Sequence, residues 1–138
     1  MAVTMKGFRP ANQQYTLLSD TTGGGAAVIG ENDISKPVKL SGANEVTLCS
    51  NGDVILGLVD QVRDLTSQAQ GTLVTVAFNF GEEVEYDGDL AVGDLVVAAG
   101  NGKVRAVGNS DTIPAGVVLP RVFEITDSTN KKAVIFKA

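Results

Sequence analysis

The chain has 138 residues, with 16 Asp and Glu against 11 Lys and Arg for a formal net charge of −5, and no His. That length suits one domain with a radius of gyration of roughly 14 Å, large enough to bury a core without staples. The acidic balance disfavours nucleic acid as a general partner, the missing His removes the commonest general base and metal ligand, and the single Cys49 excludes an intrachain disulfide.

Charged residues make up 20% of the chain, below the usual share of about a quarter. Small apolar residues are abundant, so surface buried against other subunits, and hence an oligomer, is expected. The opening MAVTMKGFRP has no apolar core of a signal peptide, and no apolar run is long enough to span a bilayer. Neither a leader nor a membrane partner is therefore expected. Charge is unevenly spread: before Asp20 the side chains carry only Lys6 and Arg9, whereas Glu82, Glu83, Glu85, Asp87, Asp89 and Asp94 crowd together.

Residues 1–14 show neither helical nor strand periodicity and are interrupted by Gly7 and Pro10. They read either as a frayed terminus or as an arm that orders on a partner, with Phe8 an anchor between Lys6 and Arg9. Residues 15–138 read as a single β domain. Tyr15, Thr16, Leu17 and Leu18 form a plausible strand, followed by a polar loop with Gly23, Gly24 and Gly25. Gly25 and Gly30 have the spacing of a phosphate-binding loop, but Glu31 stands where its Lys belongs, and Val28 breaks a dinucleotide fingerprint. A simple loop is expected.

Residues 33–40 enter a strand with Pro37 at its beginning or on an edge, Ser41, Gly42, Ala43 and Asn44 turn, and residues 46–49 return. Cys49 in this pattern reads as a buried, inert thiol, since no His exists to activate it. Asn51-Gly52 turns into a strand over residues 54–59. Residues 60–71 carry the only helical flavour, with Val62, Leu65 and Ala69 at three- and four-residue spacing, enough for one helical turn or an irregular loop. Residues 71–80 alternate as a strand, with Val74, Val76, Phe78 and Phe80 on one face.

The acidic run that follows reads as a solvated connection. Its alternate carboxylates suggest a weak cation site, yet their spacing fits no EF-hand loop. Leu95, Val96, Val97, Ala98 and Ala99 run apolar without a break, as a strand covered on both faces does. Asn101-Gly102 is a strong hairpin signal, because a type I′ turn demands positive φ at both residues. Lys103, Val104, Arg105 and Ala106 alternate, and Pro114-Ala115-Gly116 turns into an expected strand at Val117, Val118 and Leu119. A closing hairpin pairs residues 122–125 with 133–136. Its loop contains Ser128, Thr129, Asn130 and Lys131, a serine acyl-enzyme string that lacks the helix such a string requires.

One internal echo stands out: Asn51-Gly52-Asp53-Val54 with Gly57-Leu58-Val59 resembles Asn101-Gly102-Lys103-Val104 with Gly116-Val117-Val118. Two similar hairpin units packed face to face, or coincidence among common residues, would both account for it. The pattern as a whole predicts an all-β chain, a small barrel or sandwich with at most one or two short helices. With no Trp and 5% aromatics, neither an enzyme nor a bound cofactor or metal is expected.

On Gly93-Asp94-Leu95-Val96, Asn101-Gly102-Lys103-Val104, Ala115-Gly116-Val117-Val118 and Ala133-Val134-Ile135-Phe136, the chain resembles the decoration, or cement, proteins of tailed-bacteriophage capsids. Residues 33–38 and 57–59 look like earlier strands of the same domain, so the likeness covers roughly residues 30–138. The resemblance implies a β-tulip body with an extended N-terminal arm, and homotrimers seated on the exterior of a virion head after synthesis in the host cytoplasm. It further implies that the arm adds a strand to the major capsid protein. Thr4, Lys6, Phe8, Arg9 and Tyr15 are then the capsid-binding candidates. A surface-displayed carbohydrate-binding or adhesive β-module is the competing expectation, with Tyr15 and Tyr86 as its platforms.

Overall fold

The computed structural model describes residues 14–19, 29–64 and 72–137. Among these the chain is all-β, with a single 3-10 turn at Glu31–Asp33. The first half contributes β1 (Gln14–Ser19), β2 (Pro37–Gly42), β3 (Glu45–Leu48), β4 (Gly57–Asp64) and β5 (Thr72–Ala77). Their pairings run β1-β3-β2-β4-β5 and return to the start, since β1 also pairs with β5. β1 and β3 run parallel, and every other neighbouring pair is antiparallel. Local chemistry sets the turns. Asn44 takes positive φ (58°) between β2 and β3, and Pro37 opens β2 where its missing N–H costs least.

The second half holds β6 (Phe80–Glu85), β7 (Val96–Gly100), β8 (Lys103–Ala106), β9 (Arg121–Asp127) and β10 (Lys132–Lys137). They form a three-stranded sheet β6-β10-β9 and the hairpin β7-β8. A parallel bridge, Tyr86↔Val104, joins β6 to β8, and an antiparallel bridge, Leu95↔Arg121, joins β7 to β9. The cycle β6-β8-β7-β9-β10 therefore repeats the order of the first half strand for strand, parallel pair included.

The repetition extends to single residues. In β2–β3 the register is Val38↔Leu48, Lys39↔Thr47, Leu40↔Val46, then a bulge and Gly42↔Glu45. In β7–β8 it is Val96↔Ala106, Val97↔Arg105, Ala98↔Val104, then a bulge and Gly100↔Lys103. The β4–β5 bulge between Val59 and Gln61 recurs between Val122 and Glu124 in β9–β10. A bulge is a specific local device, so two at matching positions make coincidence a poor explanation.

Burial follows the same equivalence. Val38, Val46, Val59, Val74 and Val76 form one core with Ile29. Their counterparts Val96, Val104, Val122, Ala133 and Ile135 all lie in the other. The sequence echo thus pointed to a real duplication but in the wrong register. Asn101-Gly102 matches Ala43-Asn44, whereas the Asn51-Gly52 turn belongs to the connection after β3.

Other elements differ from expectation. The helical spacing at residues 60–71 is overridden: β4 runs on to Asp64, and Val62 pairs with Val74. Residues 65–71 lie outside the described residues, as do the glycines at 23–25. Val117, Val118 and Leu119 lie in an irregular segment, with Val118 exposed, and Val54 precedes β4 as a connection. The expected strand over residues 71–80 divides at Phe78-Asn79, after which Phe80 begins β6. The acidic run is no mere connection, because Glu82, Glu83 and Glu85 sit within β6. Asn101 and Gly102 do take positive φ (56° and 78°), as a type I′ turn requires.

The halves interlock. Cys49, Ile55, Leu58 and Ala77 come from the first half yet pack in the second half's core. The Gly52 N–H donates to the Ala98 carbonyl at 2.8 Å, and the Ala98 N–H donates to Asp53 at 3.0 Å. Arg105 Nε donates to Asn51 Oδ1 at 2.8 Å, and Lys137 Nζ donates to the Leu56 carbonyl at 2.8 Å.

Candidate interaction surface

Strand alternation disperses the acidic run. In β6 the even positions point inward: Val84 is buried, and Glu82 is half-buried, its Oε1 accepting from Ser35 Oγ at 3.4 Å. Glu83 and Glu85 face out, where Glu83 accepts from Thr126 Oγ1 at 2.7 Å. Asp87 pairs with Lys103 at 3.5 Å. These carboxylates diverge, and among the described residues no three His, Cys, Asp or Glu side chains gather as a metal site would require. A recess of about 280 Å³ beside β6 is lined by Ser35, Lys36, Glu83, Glu85 and Lys132 among others. Its charges alternate in sign.

Cys49 is buried at 7% exposure. Burial first, and then the Asp53 carboxylate, pushes its thiol up to about 12, the opposite of what a nucleophile needs. Ser128 to Lys131 form the tight turn between β9 and β10. Asp127 organises that turn by accepting the N–H groups of Thr129 and Asn130.

The best-defined ion pair is also architectural. Arg105 makes a bidentate contact with Asp111, both bonds 2.7 Å, and Asp111 Oδ2 also accepts the Gly108 N–H at 2.7 Å. Arg105 thereby fixes the connection after β8 while holding Asn51 of the other half.

The surface also carries several large apolar side chains. Phe123 is 64% exposed and Phe136 39% exposed. Their rings meet edge to face with centroids 6.0 Å apart, an arrangement worth roughly 0.5–1.5 kcal/mol beyond burial alone. Phe123 lies in the β9 bulge and follows the buried Val122, so its exposed ring keeps the strand's alternation. Val117 and Val118 are exposed just before β9, Leu95 is exposed where it bridges to Arg121, and Val92 is exposed too. Arg121 is held by donating to the Gly93 carbonyl at 2.7 Å. Such clustering of large apolar side chains marks contact surface.

Of the capsid-binding candidates, Thr4, Lys6, Phe8 and Arg9 lie outside the described residues. Tyr15 is placed within β1, its backbone opposite Val76. Tyr86, the other carbohydrate platform considered, is only 5% exposed. The sequence reading passed over Phe123 and Phe136 as strand residues; alternation against the buried Val122 and Ile135 was the available signal. No protein-family model matches the chain, and no curated protein or solved structure matches it.

Proposed function

We propose that this protein is a structural component of a bacteriophage virion that binds the exterior of the head and stabilises the mature lattice by bridging capsomers. The observation that carries this reading is the exposed apolar surface around Phe123 and Phe136, displayed on a β body whose Arg105, Asp111, Asp127 and Lys137 side chains hold its own turns and halves together. The resemblance supplies the remainder: a β-tulip body, self-association as a homotrimer, and residues 1–14, of which Gln14 already belongs to β1, as an arm adding a strand to the major capsid protein. Strand addition relies on backbone hydrogen bonds and tolerates varied sequence, which suits an arm marked only by Phe8 between two cations. Several weak contacts per assembly multiply into strong attachment without any single tight one.

Co-sedimentation of the purified protein with mature and immature heads tests the proposal. Selective binding to mature heads is expected, and binding to neither overturns it. Deleting residues 1–13, or Phe8→Ala alone, should weaken head binding while the thermal melt of the body stays unchanged. Full binding by the truncated chain would remove the arm from the mechanism.

A further inference from the structure

The duplicated architecture lets the two halves be compared surface by surface, and three of their exposed apolar residues, Leu40, Val118 and Phe136, match positions buried at the junction between them. Across that junction the first half presents Ile55, Leu58 and Ala77, at 1%, 0% and 0% exposure. Leu58 and Ala77 are a registered pair in β4–β5, and their counterparts in β9–β10 are Arg121 and Phe136, the registered pair before the matching bulge. Ile55 stands three residues before Leu58, as Val118 stands three before Arg121. The counterparts are open: Val118 is 59% and Phe136 39% exposed, and Arg121 is exposed too.

The receiving side tells the same story. On the second half, Ala98 accepts the junction; it is 0% exposed, and its backbone bonds to Gly52 and Asp53. Its counterpart on β2 is Leu40, beside the equivalent bulge, and Leu40 is 56% exposed. One molecule thus carries both sides of a second junction, each uncovered.

We infer that copies of this chain associate head to tail, the Val118–Phe136 face of one copy seating on the Leu40 end of β2 in the next and reproducing the junction inside each molecule. The occupant is a second copy because the equivalent face of the first half, at Ile55, Leu58 and Ala77, is covered by the chain's own second half. Arg121 replaces Leu58 in the contact, and with its guanidinium tied to Gly93 it offers its aliphatic stem. The contact is heterologous, so it either closes into a ring or runs on as an open chain. It deepens the self-association of the proposed function by naming the two surfaces that meet, and it rests on the duplication rather than on binding to a head.

Sedimentation velocity on the full chain with two surface variants, Val118→Asp and Leu40→Asp, tests this. Both sites are exposed, so circular dichroism should show native folds. The unaltered protein should sediment as more than one chain, and each variant alone as a single chain. An equimolar mixture of the two variants should recover a two-chain species, because one supplies an intact Val118 face and the other an intact Leu40 end. A single-chain wild type, or a variant that assembles like wild type, would overturn the inference. So would a mixture that stays single-chain; one patch meeting itself about a two-fold axis would show instead as a variant that still assembles. Head binding plays no part in the readout, so failure here and failure of the virion reading are separable.

Discussion

Glu82 stands out among the described residues for a buried oxygen that nothing satisfies. Its Oε2 is buried with no hydrogen-bond partner, and burial first, then the nearby Asp60 carboxylate, raises its pKa above 4.5. A carboxyl whose folded pKa is raised favours the native state in its neutral form, so stability falls as pH climbs through the folded value. Glu82→Gln should melt higher than wild type at pH 7, with the gap closing as pH falls below 4.5, measured by thermal unfolding across pH. Asp111 behaves oppositely. The Arg105 hydrogen bonds, followed by the Gly108 N–H, hold its carboxyl down to about 2, from an ordinary 3.8. Its contribution is complete above 3.8 and lost as pH falls toward 2. Asp111→Asn should therefore melt lower at pH 7 and show a flatter acid dependence in that window. Cys49, with its thiol up at about 12, should resist a thiol reagent at pH 8 until denaturant exposes it; rapid labelling of native protein would contradict its burial.

At the scale of elements, Gly57 shows how tightly β4 meets its neighbour. A Cβ there would lie 2.5 Å from the Ala77 carbonyl oxygen and 2.6 Å from Val76 Cγ1. Gly57→Ala should cost about 1–3 kcal/mol by the usual penalty for overpacking, read from denaturant unfolding. Much of this layer was legible from sequence. Asn101-Gly102, the closing hairpin and the alternation of Val74 and Val76 each carry a local signal that tertiary structure leaves standing. The failures have one cause. Val62 and the residues around it read as helical by spacing alone, yet an antiparallel partner at Val74 outweighs a weak local preference. Val117 and Val118 read as a strand because β-branched residues favour strands, but no neighbouring strand offers them a ladder. Phe123 escaped notice because a strand residue alternating with Val122 reads as ordinary, and nothing in the linear pattern shows that its exposed ring meets Phe136.

Over the whole molecule, duplication gives two cores built from matching positions, and that arrangement has a measurable signature. Val46 and Val104 are counterparts, each fully buried in a different cluster. Val46→Ala and Val104→Ala should each lower stability by about 2 kcal/mol. Sites in separate clusters act independently, so the double variant should show the sum within about 0.5 kcal/mol; a markedly smaller loss would mean one merged core. The repeat itself was only half legible. Its shared identities reduce to a few valines and glycines, while the evidence for it lies in paired bulges and strand order, which no linear comparison displays.

The two cores are unequal in one respect. The trailing one is sealed by Cys49, Ile55, Leu58 and Ala77 from the leading half, whereas the leading one draws on its own residues. Severed at the Phe78-Asn79 bend, the molecule would yield one piece with a finished interior and another with an open floor shaped for a specific plug. Such pieces would be natural candidates for fragment complementation, the second dependent on the first as an intramolecular chaperone made separable.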